Sequence, residues 1–432
     1  MKSRQALCTL LVGLSLLSTV AAYAQNGGAV VPIAQVQQPV LPTPVKAAKN
    51  SFFQPADFRL LGTLEVKDKE TVTFDTGTVD TAPTITGVKT ETGELGVSAA
   101  GVVQVAVFAF DEITIAKGAK VEVKGDRALV LLSSGKILID STIDMSGQTG
   151  AKMPYFPDKN YNFGGAAGPG AEGGEHGKAL KSNPPPVGGG NGSAGRKDTG
   201  DWGRGFGGGM NQRCLGGSAG GGGAYGGAGG AASEGSPILK GNPGTYAMPG
   251  GVVYGDALLT DLLGGSGGAG GSNDQQGFSA SGGGGGGAIE IISLNEVTMG
   301  ANCKIIVAGG AGAINKICGG GGSGGAIMLV APSIILIAGA ILDAQGGVGG
   351  DTGPKVIEEI KPEITRRNMG NGGGGGGGRI ALFSKDDFGA KGDDTIETTV
   401  SKGITIAGCK GGAAANDGAD GTFYDGSWPE LR

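Results

Sequence analysis

Gly325-Ala326-Ile327-Met328-Leu329-Val330, then Ile334 to Ile337, then Ile341-Leu342-Asp343-Ala344-Gln345-Gly346-Gly347, is one copy of a unit that decides the fold. A second copy runs from Gly287-Ala288-Ile289-Glu290-Ile291-Ile292 through Val297-Thr298-Met299 to Ile305-Ile306-Val307-Ala308-Gly309-Gly310. A third opens at Gly378-Arg379-Ile380-Ala381-Leu382-Phe383 and resumes at Ile404-Thr405-Ile406-Ala407-Gly408. The shared pattern is G-[AR]-I-x-L, a turn, [IV]-x-[IVM], a turn, and [IV]-x-A/S-x-G-G. Each copy holds three short strands in roughly 23–26 residues, a length at which a unit buries its apolar face only against its neighbours. Strands this short do not stand alone. The expected fold is therefore all-β: a right-handed parallel β-helix, a solenoid with long glycine-rich loop insertions projecting from one edge.

Upstream, the same cadence appears in Ile113-Thr114-Ile115, Val121-Glu122-Val123, Leu129 to Leu132, Ile137 to Asp140 and Ile143 to Met145. The expected division is a signal peptide over 1–24 and a Pro/Gln-rich linker over 25–50. A Thr-rich β cap region over 51–100 and first tiers over 101–150 follow. A glycine- and aromatic-rich insertion covers 151–281, further tiers cover 282–426 and a tail covers 427–432. Lys2 and Arg4 precede an apolar run from Leu10 to Val20, and Ala22-Tyr23-Ala24 is a small-x-small site with cleavage expected before Gln25. That run is short of the ~20 apolar residues of a membrane helix. Export to the cell surface or outside the cell is expected, with the periplasm left open and no membrane span after cleavage.

Glycine accounts for 94 of 432 residues, yet 39% of the chain is hydrophobic, which is not a disordered composition. The formal charge of −5 and the lack of a basic block argue against nucleic acid as a partner. Gly282 to Gly287, Gly319 to Gly322 and Gly372 to Gly378 are close to pure glycine. Such tracts either stay mobile or pack as extended, polyproline II-like strands that approach closely because they carry no side chains. They lack the strand–turn–helix context of a nucleotide loop.

Cys214, Cys303, Cys318 and Cys409 are an even set after removal of Cys8, which permits disulfides among them with three connectivities. Free buried thiols are the other reading. No cofactor and no metal are expected. His176 is the single histidine and stands in a glycine loop. Asp386-Asp387 and Asp393-Asp394 are adjacent acids, which point apart on a strand. Asp417, Asp420 and Asp425 do not meet the hand-type calcium pattern. No catalytic residue is assigned and the chain is not expected to be an enzyme.

Aromatic residues gather in the insertion: Tyr155, Phe156, Tyr161, Phe163, Trp202, Phe206, Tyr225, Tyr246, Tyr254 and Phe278. They either pin the insertion to the strands or offer stacking surfaces. On the second reading all of these except Phe278 are candidate ligand-binding residues, for a surface glycan or a protein, and self-association is open.

Val107-Phe108-Ala109-Phe110-Asp111-Glu112-Ile113-Thr114-Ile115, running on to Leu129–Leu132 and Ile137–Asp144, resembles the opening of large glycine-rich exported bacterial proteins of the PE-PGRS-like kind. Gly421-Thr422-Phe423-Tyr424 is similar to their closing segment. The resemblance spans about residues 100–426 and implies export and a β-helical fold. It brings no catalytic residue. The expected function is that of an adhesin-like interaction protein of the surface or extracellular matrix. The alternatives are a secreted carbohydrate-active β-helix enzyme, suggested by fold analogy alone, and a ligand-free coat or sheath protein.

Overall fold

The structure, a computed structural model, describes residues 46–47, 52–78, 80–98, 103–151, 164–169, 207–209, 219–233, 248–271, 280–315, 317–352, 370–385, 403–413 and 415–427. All lie within the second of two units, Leu41–Arg432.

The first strand of each repeat joins one eight-stranded sheet. Its order is Lys46–Ala47, Glu94–Val97, Gln104–Phe110, Ala128–Ser133, Ala288–Ser293, Ala326–Val330, Arg379–Ser384 and Thr422–Ser427. The second strands form a five-stranded sheet in the order Ser333–Leu336, Glu296–Met299, Ile137–Ile139, Ile113–Ile115 and Leu64–Val66. The third strands, Thr142–Asp144, Lys304–Ile306, Ile341–Asp343 and Ile404–Thr405, form a sheet of four. Equivalent residues pair: Leu129 with Ile289, Ile289 with Ile327, Ile327 with Ile380.

Alternation along the long sheet's strands buries two sets of side chains. Ile289, Ile291, Ile327, Leu329, Ile380 and Leu382 point to one face and join Ile113, Ile139, Val297, Ile305 and Leu342 in a continuous aliphatic column. Ala288, Ile292, Met328, Val330, Ala381 and Phe383 point to the opposite face. Phe52, Phe53 and Phe58 cover that face from the amino-terminal side, and Tyr225, Leu259, Leu262 and Leu263 cover it from the insertion. Phe52 meets Phe383 edge-on at 4.9 Å. Both faces are buried, so these strands read as unbroken apolar runs.

Polar residues close the turns. Ser133 Oγ donates to Asp111 O at 2.8 Å, and one repeat later Ser293 Oγ donates to Gly135 O at 2.6 Å. Asn302 N donates to Asp140 Oδ1 at 2.8 Å.

This topology corrects the expectation of a right-handed parallel β-helix with projecting loops. The strands fall into four separate sheets, none of which closes on itself. Two of them are mixed. Glu94–Val97 runs antiparallel to Gln104–Phe110 in the long sheet. In the fourth sheet Thr71–Asp75 pairs antiparallel with Thr84–Gly87 and parallel with Lys120–Lys124. The physical reason lies in the Thr-rich region. Glycine turns at Gly77 and Gly87, with φ of 71° and 102°, reverse the chain locally, and short reversals give antiparallel partners. Apart from the 3-10 turn Pro55–Asp57 and an isolated helical position at 403, the described residues are extended or irregular.

The insertions also depart from the expectation, because their described glycine segments are packed and not projecting. After each third strand the chain enters a glycine layer. Gly147 N donates to Ala308 O, Gly309 N to Gln345 O and Gly346 N to Ala407 O, at 2.8–3.0 Å. A second layer, built from 282–287, 319–325 and 372–378, is linked by Gly283 N to Gly320 O, Gly321 N to Gly373 O and Gly324 N to Gly376 O, each 3.0 Å. A third set, from 219–233 and 264–271, lies against the second: Gly265 N donates to Gly286 O and Gly268 N to Gly283 O. Donors three residues apart match the three-residue turn of polyproline II. Glycine is required because a Cβ at Gly374 would run into the Cys409 carbonyl, and one at Gly324 into the Ala344 carbonyl.

Candidate functional site

Two places combine side-chain chemistry with geometry. The first is where the insertion meets the long sheet. Tyr225 is fully buried and its ring lies 4.8 Å from that of Tyr254. The Arg379 guanidinium, on the last complete repeat, sits 5.2 Å from the centre of the Tyr225 ring, a cation–π placement. Arg379 Nη2 donates to Tyr254 O at 2.7 Å and to Gly255 O at 3.2 Å, and Nη1 donates to Thr422 Oγ1 at 2.9 Å. Tyr254 Oη donates to Gly264 O at 2.5 Å and accepts from Ser266 Oγ at 3.0 Å. Ser323 Oγ accepts from Ser266 N at 2.8 Å, tying the network to the second glycine layer. Burial drives the hydroxyl pKa of both tyrosines upward, and the neighbouring Tyr254 adds to the effect at Tyr225. Both hydroxyls stay protonated at physiological pH.

Glu290 shares this face. It stands mid-strand between Val130 and Met328 of the adjacent strands and is 1% exposed. Burial alone raises its carboxyl to about 8, so it is a neutral acid at pH 7.

The second place is the outward rim of the first glycine layer. Here Thr149, Ala311, Val348 and Lys410 come from four successive repeats, and with Ile314 and Asp351 they line a groove of about 520 Å³. Ile314 and Val348 are 48% and 49% exposed. The tiers are held at the rim by Gly150 N to Ala311 O, Gly312 N to Val348 O and Gly349 N to Lys410 O, at 2.8–2.9 Å.

The expected ligand-binding aromatics fare unevenly. Tyr225 is corrected: with no exposed surface, it pins the insertion. Tyr254 is half-buried and hydrogen-bonded into the same clamp. Tyr155, Phe156, Tyr161, Phe163, Trp202, Phe206, Tyr246 and Phe278 lie outside the described residues, as do His176, Cys214, Asp386, Asp387, Asp393 and Asp394. Disulfides among the other cysteines are corrected as well, since Cys303, Cys318 and Cys409 are free. Cys303 Sγ packs on Met299 Sδ at 3.3 Å inside the aliphatic column, and burial pushes its thiol up to about 12. Cys318, near Asn371, is pushed up to about 11 for the same reason. Burial also raises the Cys409 thiol. Asp417 and Asp420 accept from Gly411 N and Gly408 N at 3.0 and 3.1 Å, which makes them turn acids. Among the described residues no group of three metal-ligating side chains comes together, and no helix is long and apolar enough to cross a membrane.

Sequence reasoning passed over Arg379 and Glu290. A signal existed for both: Arg379 stands where the other copies carry Ala288 and Ala326, and Glu290 interrupts a run of isoleucines. Comparison with protein-family models, curated proteins and solved structures returns no match.

Proposed function

We propose that this chain is an exported interaction protein of the cell surface or extracellular matrix, adhesin-like, with the rim of its glycine layer as the contact surface. One observation carries the reading. Four repeats place exposed side chains on a hydrogen-bonded glycine backing, and they line a single groove with apolar Ile314 and Val348 beside Asp351 and Lys410. A rigid backing lowers the ordering cost of binding. The groove's mixture of apolar and charged side chains suits a surface polymer or protein better than a small apolar molecule. Binding through Tyr225 is set aside because that ring is buried.

The test has two steps. Protease accessibility on intact producing cells reports whether the protein reaches the outside. Labelled full-length protein is then bound to isolated cell envelopes, with the double variant Ile314→Asp, Val348→Asp as control. Surface exposure with at least tenfold weaker binding by a folded double variant supports the reading. Confinement within the cell, or undiminished binding by the variant, defeats it.

A further inference from the structure

Each tier of the first glycine layer hands two main-chain donors to the next. Gly147 N, Gly309 N and Gly346 N donate to Ala308 O, Gln345 O and Ala407 O. Three residues along, Gly150 N, Gly312 N and Gly349 N donate to Ala311 O, Val348 O and Lys410 O. The next donors in these two rows are Gly408 N and Gly411 N, on the layer's last strand, 406–412. Among the described residues no further tier receives them. Gly408 N donates instead to Asp420 Oδ1 at 3.1 Å, and Gly411 N to Asp417 Oδ1 at 3.0 Å. The two carboxylates stand where the carbonyls of another tier would be.

The second layer shows why a side chain fits at these two positions. Gly283 N, Gly321 N and Gly374 N donate to Gly320 O, Gly373 O and Asn416 O, while Gly286 N, Gly324 N and Gly377 N donate to Ser323 O, Gly376 O and Ala419 O. The next residues in these rows are Asp417 and Asp420. Every earlier position in both rows is glycine. A Cβ there would strike a first-layer carbonyl: that of Gly310, Gly347 or Cys409 in one row, and that of Val307, Ala344 or Ile406 in the other. Beyond strand 406–412 the described residues supply no such carbonyl, and the sequence changes from glycine to Asp at both positions.

We propose that Asp417 and Asp420 are a stop for the glycine lattice, which keeps a second copy of this chain from adding its own glycine strand at this edge. A row of unpaired main-chain groups recruits further chains, and natural proteins close such edges with charged side chains. A carboxylate bonds strongly to a main-chain N–H. The matching strand is on the same molecule. At the opposite edge of the first layer, strand 145–151 carries Ser146 O and Thr149 O in the places that Ala308 O and Ala311 O hold one tier later. Neither receives a main-chain donor among the described residues. The tier before it passes from Lys124 to Ala128 through only three residues and has no glycine strand. The two edges therefore match, donors to acceptors, at the same three-residue spacing. A head-to-tail contact of this kind runs on into rings or filaments.

The experiment measures the mass of the full chain by sedimentation over a concentration series. The parent should remain a single copy. Asp417→Gly with Asp420→Gly bares both donors and should raise the weight-average mass about threefold or more where the parent is a single copy. Asp417→Asn with Asp420→Asn keeps an acceptor oxygen at each donor while removing the charge, and should stay with the parent. Either single glycine variant bares one donor and should associate more weakly than the double, so the proposal stands or falls on the single variants if the double does not fold. Glycine variants that stay a single copy, equal association in the asparagine and glycine doubles, or association that halts at two copies overturns the proposal.

Discussion

The aliphatic column and the glycine layer are built from the same chain, a few residues apart, on opposite rules. In the column, Ile289, Leu329 and Leu382 fill space, and burial of such a side chain is worth about 1.5–3 kcal/mol. In the layer nothing fills space. Gly283, Gly321 and Gly376 bring backbone against backbone, and the stabilising contacts are hydrogen bonds and close dispersion between main-chain atoms. Glycine costs more backbone entropy than any other residue to order. The layer offsets that cost only where every strand is hydrogen-bonded on several sides. The difference teaches that mutational tolerance is inverted between the two: the column is damaged by losing atoms, the layer by gaining them.

The comparison breaks most directly at Gly374. A side chain there meets the Cys409 carbonyl and the Lys410 backbone, neither of which is a flexible tip. Gly374→Val should lose more than about 3 kcal/mol in denaturant unfolding or fail to fold. A loss below about 1 kcal/mol would show that the layer can swell. Leu329→Ala tests the other side, with an expected loss of about 2–5 kcal/mol read the same way.

Glu290 sharpens the comparison, because it is a titratable group set in the side-chain-packed face. Its folded pKa of about 8 lies above its ordinary value of 4.5, and burial is the cause. The folded state thus binds the proton more tightly. The stability this confers is complete below pH ~4.5 and is lost as pH rises toward about 8. Glu290→Gln should flatten the curve over that window, removing a pH dependence of order 4–5 kcal/mol. Identical slopes for variant and parent, measured by unfolding at pH 4.5 and 8.5, would contradict the burial argument.

Smaller effects belong to the tier edges. Asp140→Ala takes away the acceptor for Asn302 N and should cost about 1 kcal/mol. Lys136→Ala breaks an exposed pair with Glu296 at 3.4 Å and should change thermal stability by less than about 0.5 kcal/mol.

Much of the strand pattern was legible. Ile113–Ile115, Ala326–Val330 and Ile341–Asp343 fall where alternating aliphatics and flanking glycines put them. The partition into sheets was not, because cadence records which residues are strands and carries no term for which neighbour each will meet. Thr71–Asp75 illustrates this: its alternation is ordinary, and it is the positive-φ turns at Gly77 and Gly87 that give it an antiparallel partner. The glycine tracts left two outcomes open, since a residue without a side chain has no pattern to read. Of the clamp, Tyr225 and Tyr254 were visible as aromatics in an insertion. Their burial was not, because it depends on Arg379, more than a hundred positions away. Glu290 was hidden by the assumption that charge marks surface.

Thr142–Asp144 and Ala288–Ser293 belong to successive repeats, yet residues 145–287 intervene, and Leu129 still meets Ile289 in register. The departure point between repeats is thus a port, from which the chain can leave and return without shifting the ladder. Closing a loop twice as long costs only about 0.6 kcal/mol more. Inside the excursion, segments 219–233 and 248–271 return to pack against the second glycine layer and the long sheet. A long departure is thus tolerated at the seam, whereas a single residue slipped inside a strand would turn every side chain after it to the wrong face.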